Sequence, residues 1–195
     1  MLSPRRDDGF TLVELLVSVS ILTVLLGAVS GSLYVALRTA ASADQRLGES
    51  ADELTATTYF GDDVHGARSV SVGRTPRCGT DPAAVVEFVG LDFTDDASFI
   101  PITTAVSYVL RTVTAAGGTT TRELHRLACT APTTAPTYPL VPATDVTVVR
   151  RLSSGAPTVS CGSPGCAAFA QVSVTLREES GNLTYTLTGR RRTTA

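Results

Sequence analysis

An unbroken apolar stretch near the N-terminus constrains this chain more than any other feature. Residues 15–37 read LLVSVSILTVLLGAVSGSLYVAL, without a single charged side chain. About 20 such residues in a helix are enough to cross a bilayer, so the stretch is read as a membrane anchor. Arg5 and Arg6 precede it, and the positive-inside tendency keeps that end in the cytoplasm. The rest of the chain is then expected outside. One residue does not fit a plain anchor. Glu14 stands at the edge of the apolar run, where a carboxylate in hydrocarbon costs about 2.5 to 3.5 kcal/mol on insertion scales. It therefore asks for a partner.

A secretory signal peptide is one reading, with Ala28-Val29-Ser30 as its small-residue cleavage site. It leaves Glu14 unexplained. The other reading is cleavage on the cytoplasmic side, between Gly9 and Phe10, with the apolar helix left attached. Glycine suits such a cut because a protease can approach its backbone closely.

Length and composition bound the remainder. The 195 residues allow one anchor and one domain with a core of its own. A formal net charge of -2 gives no general push toward nucleic acid or anionic lipid, and all 16 basic residues are Arg. The four cysteines, Cys78, Cys129, Cys161 and Cys166, lie beyond the anchor, an even number suited to an oxidising compartment. Cys161 and Cys166 enclose Gly-Ser-Pro-Gly, a loop short and bent enough to bring two Cα atoms within disulfide reach. Cys78 and Cys129 then pair by default. A zinc site is the rival, though it favours tighter C-x-x-C pairs. His65 and His125 have no metal-ligand spacing around them, and Asp92, Asp95 and Asp96 lack a known calcium-loop pattern. No metal or cofactor is expected. Arg190, Arg191 and Arg192 read as a basic tail. No nucleophile, histidine constellation or phosphate-cradling loop stands in a recognisable context. The chain reads as a substrate of an enzyme and not as one itself.

Past the anchor, Ala43, Leu47, Ala51 and Leu54 recur at helical spacing, and Phe60 and Val64 are again four apart. One helix is expected over about 10–67, with a stripe that a sheet must cover. Gly27 and Gly31 form a GxxxG pair within it, readable as a helix-dimerising face. From Gly73 the period falls to two. Strands are expected at 84–89, 105–113, 121–127, 145–152, 169–177 and 182–188. Gly117-Gly118 and Ser180-Gly181 mark hairpin turns, and 128–144 and 153–166 read as loops.

Gly9-Phe10-Thr11-Leu12-Val13-Glu14 followed by an apolar helix resembles the class III signal of type IV pilins and pseudopilins. The resemblance implies an α+β, pilin-like fold, with a long N-terminal helix packed on an antiparallel β-sheet domain. It implies a leader at 1–9 removed by a prepilin peptidase, and N-methylation of Phe10. It further implies a transmembrane, filament-core helix over 10–37, an amphipathic continuation over 38–67, and an extracytoplasmic head over 68–195. Glu14 would compensate the charged amino terminus of a neighbouring subunit in the filament. The implied partners are the peptidase, other major and minor pilins, and the membrane. Nucleic acid is not expected for a pseudopilin. More narrowly, the strand at Val106 to Leu110, the short strand at Leu124 to Arg126 and a closing hairpin near Arg190 resemble J-type minor pseudopilins of type II secretion. A minor type IV pilin in adhesion, motility or DNA uptake is the alternative within the family. A membrane-anchored ligand-binding module that does not polymerise is the alternative outside it.

Overall fold

A computed structural model describes residues 11–93, 100–114, 118, 120–132, 134–179 and 184–192, with the backbone but not the side chains of 41, 42, 44–47 and 49. Its first helix, α1 (Leu12–Gly66), runs for 55 residues. The chain divides into two compact units, Met1–Leu47 and Gly48–Ala195.

In the first unit, several hydroxyl side chains that an apolar setting would leave bare are satisfied inside the helix. Ser18 Oγ donates to the Glu14 carbonyl (2.7 Å), Ser20 Oγ to Leu16 (2.8 Å) and Ser32 Oγ to Val29 (2.9 Å). Such back-bonding is what a Ser or Thr needs wherever a helix surface meets no water.

Among its described residues the second unit holds eight strands in two sheets. β1 (Ala67–Val72), β2 (Ala84–Phe93), β3 (Pro101–Thr114), β4 (Thr120–Ala131) and β5 (Thr144–Leu152) form a meander in chain order. Every pairing is antiparallel, with Ser71, Glu87, Ser107, Leu127 and Asp145 aligned in one row across it. β6 (Thr158–Ser160), β7 (Gln171–Arg177) and β8 (Thr184–Arg190) form a second sheet, with a 3-10 turn (Pro164–Cys166) before β7. The antiparallel head expected from period-two runs is present, and it is split in two. β1 follows α1 without a loop, and β6 lies inside a region that composition marked as irregular. Gly117, Ser180 and Gly181 fall outside the described residues.

One face of the five-stranded sheet packs on the end of α1. Ala56, Phe60 and Val64 are fully buried there, one helical turn apart. Phe60, Phe88 and Tyr108 meet edge-to-face in all three pairs, at 5.4, 5.5 and 6.0 Å, an arrangement worth about 0.5 to 1.5 kcal/mol per pair beyond burial. The second sheet closes the same core with Val172, Val174 and Leu187. β8 comes so close to α1 that a Cβ on Gly189 would meet Val64 Cβ at 2.6 Å. Leu54, expected on the covered stripe, is 71% exposed, and Ala43 and Ala51 are exposed too. The reason is angular. Leu54 and Ala56 are two residues apart, about 200° around a helix, so the stripe ending at Leu54 turns away from the face that carries Phe60.

The opposite face of the five-stranded sheet has a smaller core of Cys78, Ala84, Ala105, Val109, Leu127 and Cys129. The 73–83 segment lies over it, held by hydrogen bonds from Gly79 N to Leu140 O (3.0 Å) and Leu140 N to Arg77 O (2.7 Å).

Candidate functional site

The N-terminal segment that the sequence singles out begins in a helix cap. Thr11 precedes α1, its carbonyl accepts from Leu15 N (3.1 Å), and its Oγ1 accepts from Glu14 N (3.3 Å). Thr11 is thus the N-cap residue, and Glu14 occupies the third helical position, within the first turn. T-x-x-E is the capping-box pattern, and a carboxylate there also faces the positive end of the helix dipole. Sequence reasoning missed this local role. The signal was present as [ST]-x-x-[DE] before an apolar run. Gly9 and Phe10, the expected cleavage and methylation residues, lie outside the described residues.

Downstream of Glu14 the helix presents bare apolar side chains. Residues Leu12–Ala40 form a 29-residue stretch whose most apolar 18 residues have a mean hydropathy of 2.4, none of it buried by the described chain. Leu12, Val24 and Tyr34 are among the most exposed, at 77, 72 and 66%. The length and composition are sufficient to cross a membrane. The same surface is a helix without a partner, available to lipid or to other helices. A Cβ added at Gly27 or Gly31 would meet nothing within 4 Å among the described residues.

In the head, the expected cysteines are joined as Cys78–Cys129 and Cys161–Cys166, with Cα separations of 5.6 and 5.2 Å. The first bond fixes the 73–83 segment to β4. Asp95 and Asp96 lie outside the described residues, and Asp92 Oδ1 accepts from Phe93 N (2.9 Å). Among the described residues, no group of three or more His, Cys, Asp or Glu side chains is placed to hold a metal ion. Arg191 lies over the Phe169 ring at 5.2 Å, and Arg190 ends β8.

Among the described residues three charged clusters fasten the head, besides the Arg150–Asp52 ion pair at 2.6 Å. Asp63, near the end of α1, accepts from Arg126 Nε (2.7 Å) and Nη2 (2.6 Å) and from the Tyr108 hydroxyl (2.6 Å). The hydrogen bonds to Asp63 hold the Arg126 pKa above its ordinary value despite burial. Burial, and then the Asp63 charge, push the Tyr108 hydroxyl well above the usual phenol range. Glu87 is buried on the opposite face, where Ser107 Oγ (3.0 Å), Ser71 Oγ (3.3 Å) and Arg77 N all donate to it. Arg111 grips Asp81 through Nε and Nη2, both at 2.8 Å, and also binds Asp145. The Arg111 hydrogen bond holds Asp81 below the usual carboxylate range. Burial pushes Asp145 up, but hydrogen bonds from His125 and Arg111 together outweigh it and leave it low. His125 Nδ1 lies 2.8 Å from Asp145 Oδ1. These clusters join residues tens of positions apart, and no local sequence signal marks them.

Residues 4–30 match the model of the prokaryotic N-terminal methylation motif. This segment is similar to the prepilin signal of type IV pilins, and the motif implies processing by a prepilin peptidase and partners of the pilin type. No curated protein and no solved structure matches the chain.

Proposed function

We propose that this chain is a minor pilin or pseudopilin, a structural subunit of an envelope filament. A prepilin peptidase cuts after Gly9, Phe10 becomes the methylated amino terminus, and Glu14 pairs with the amino terminus of a neighbouring subunit. The mature protein spans the membrane once, with its head outside the cytoplasm, until it enters the filament. The favoured position is J-like, near the tip of a type II secretion pseudopilus, where minor subunits prime assembly. Its partners are then other major and minor pseudopilins.

The observation that carries this reading is the methylation-motif match over residues 4–30, running directly into an apolar helix that the chain's own residues leave uncovered. A secreted domain has no use for such a helix after export. A filament subunit needs it twice, in lipid before assembly and against other helices afterwards. Mass spectrometry of the N-terminal peptide from cells with a prepilin peptidase tests the proposal. N-methylphenylalanine at Phe10 is expected. An intact Met1 terminus, or cleavage near Ser30, overturns it. The J-like position is tested separately by cross-linking the chain to minor pseudopilins of a co-expressed secretion system.

A further inference from the structure

The outer face of the β6–β7–β8 sheet is built almost wholly of hydroxyl side chains. In all three strands the apolar residues turn inward, among them Val172, Val174, Leu176, Tyr185 and Leu187. Of the ten positions that alternate with them, seven are Ser or Thr, one is Gln171, and two are Arg177 and Arg190. None is a carboxylate. Register places the hydroxyls side by side: Ser173 against Thr188, Thr175 against Thr186, and Thr158 against Thr175. Ser173 Oγ and Thr188 Oγ1 are 3.1 Å apart. The two guanidinium groups stand at opposite ends, because Arg190 pairs with Gln171 and Arg177 with Thr184. Six residues of strand separate those ends, about 20 Å.

A sheet face kept merely soluble carries charges of both signs, at roughly a quarter to a third of its positions. This one has a single sign, and only at its ends. The rows repeat about every 4.8 Å across strands and 6.7 Å along them. Threonine is stiff at χ1, so its hydroxyls are ordered before anything binds, which lowers the entropy cost of association. Each hydroxyl both donates and accepts, as the hydroxyls of a sugar do. A hollow adjoins each end of the array. One of about 360 Å³ is lined in part by Ser160, Gln171 and Ser173. The other, of about 280 Å³, is lined in part by Thr175, Arg177 and Thr184 and by the 153–157 loop. Arg122 steadies that loop by donating to Ser154 O at 2.8 Å.

We infer that this face binds a carboxylated polysaccharide, its hydroxyls meeting the hydroxyl and Gln171 array and its carboxylates meeting Arg177 and Arg190. Duplex nucleic acid is a poorer match. It presents roughly a dozen charges over 20 Å, against two cations here. The inference goes beyond filament membership and rests on the head sheet alone, so it can fail or stand independently of N-terminal processing.

The test uses the full chain in detergent micelles, with polygalacturonate, neutral dextran and duplex DNA as probes in a sedimentation binding assay. Binding to polygalacturonate that weakens with salt is expected, with dextran and DNA at least tenfold weaker. The double variant Arg177→Gln/Arg190→Gln should lose about tenfold in affinity, the equivalent of 1.4 kcal/mol. Thr186→Val/Thr188→Val should lose a comparable factor with its charge untouched. Arg177→Lys/Arg190→Lys should bind within a few-fold of the unaltered chain. These positions are exposed, so thermal melts should be unchanged. No binding to polygalacturonate, equal binding to dextran or DNA, or undiminished binding by either the Gln or the Val variant overturns the inference.

Discussion

Asp63 holds three hydrogen bonds from two different strands, and its carboxylate is only 6% exposed. Its loss should therefore exceed the loss of any one partner. Asp63→Asn leaves the Arg126 guanidinium largely buried without its counter-charge, a change that typically costs about 3 to 5 kcal/mol. Tyr108→Phe removes a single hydrogen bond to a charged group, about 1.5 to 3 kcal/mol, and leaves the ion pair intact. Urea unfolding of both variants checks the order. The same groups set the pH response. Tyr108 has a raised pKa in the folded state, so it contributes stability that is fully present below the ordinary phenol value of 10. That contribution is lost as pH rises toward the folded value, and the alkaline loss should be smaller in Tyr108→Phe. Asp81 titrates the opposite way. Its pKa is lowered from 3.8, so its contribution is present above that value and is lost as pH falls below it. Asp81→Asn should flatten the melting temperature between pH 4 and pH 2.

At the scale of elements, β8 is stapled to α1 by the absence of a side chain. An added Cβ at Gly189 would sit 2.6 Å from Val64 Cγ2 and 3.1 Å from the Phe60 carbonyl. Gly189→Ala should destabilise the head by about 1 to 3 kcal/mol, as overpacking does, and a melt of the purified chain measures it. Gly79 is another demanding position, since it carries φ +90 in the segment over the back face. The two disulfides should differ in weight. Cys78–Cys129 spans 51 residues and Cys161–Cys166 only 5, which the chain-entropy model converts to about 4 and 2 kcal/mol. Melts of Cys78→Ser/Cys129→Ser and Cys161→Ser/Cys166→Ser should fall in that order. The long strands were legible because runs of β-branched and aromatic residues between turn signals are a local property. Residues 84–89 and 105–113 are such runs and lie within β2 and β3. β1 does alternate at Ser69-Val70-Ser71-Val72 but follows α1 without a turn signal to set it apart, and β6 is only three residues long. The covered helix face was misread where two stripes were joined, because Leu54 and Phe60 differ by about 120°. Asp63 and Arg126, 63 residues apart, became neighbours only through the register of the four strands β1 to β4. Nothing local could announce them.

For the whole molecule the question is what Glu14 would do in a processed subunit on the proposed reading, and the helix cap sharpens the test. Glu14 has two candidate duties: it sits in the first turn capped by Thr11, and on the proposed reading it neutralises a neighbour's amino terminus. Glutamine serves the capping box as well as glutamate, so Glu14→Gln keeps the cap and removes the charge. Thr11→Val does the reverse, at about 1 kcal/mol of helix stability. If pairing drives docking, Glu14→Gln should insert in the membrane and be cleaved after Gly9 as before. It should then fail to enter filaments, because the neighbour's ammonium would be left alone in low dielectric at a cost of about 3 to 5 kcal/mol. Thr11→Val, with the charge retained, should assemble nearly as the unaltered chain. Cross-linking to partner pilins in membranes, with cleavage followed in the same samples, reads both effects. Assembly lost in Thr11→Val but kept in Glu14→Gln would make Glu14 a helix-start residue. The filament would then have to be held by the apolar surface of Leu12–Ala40 alone.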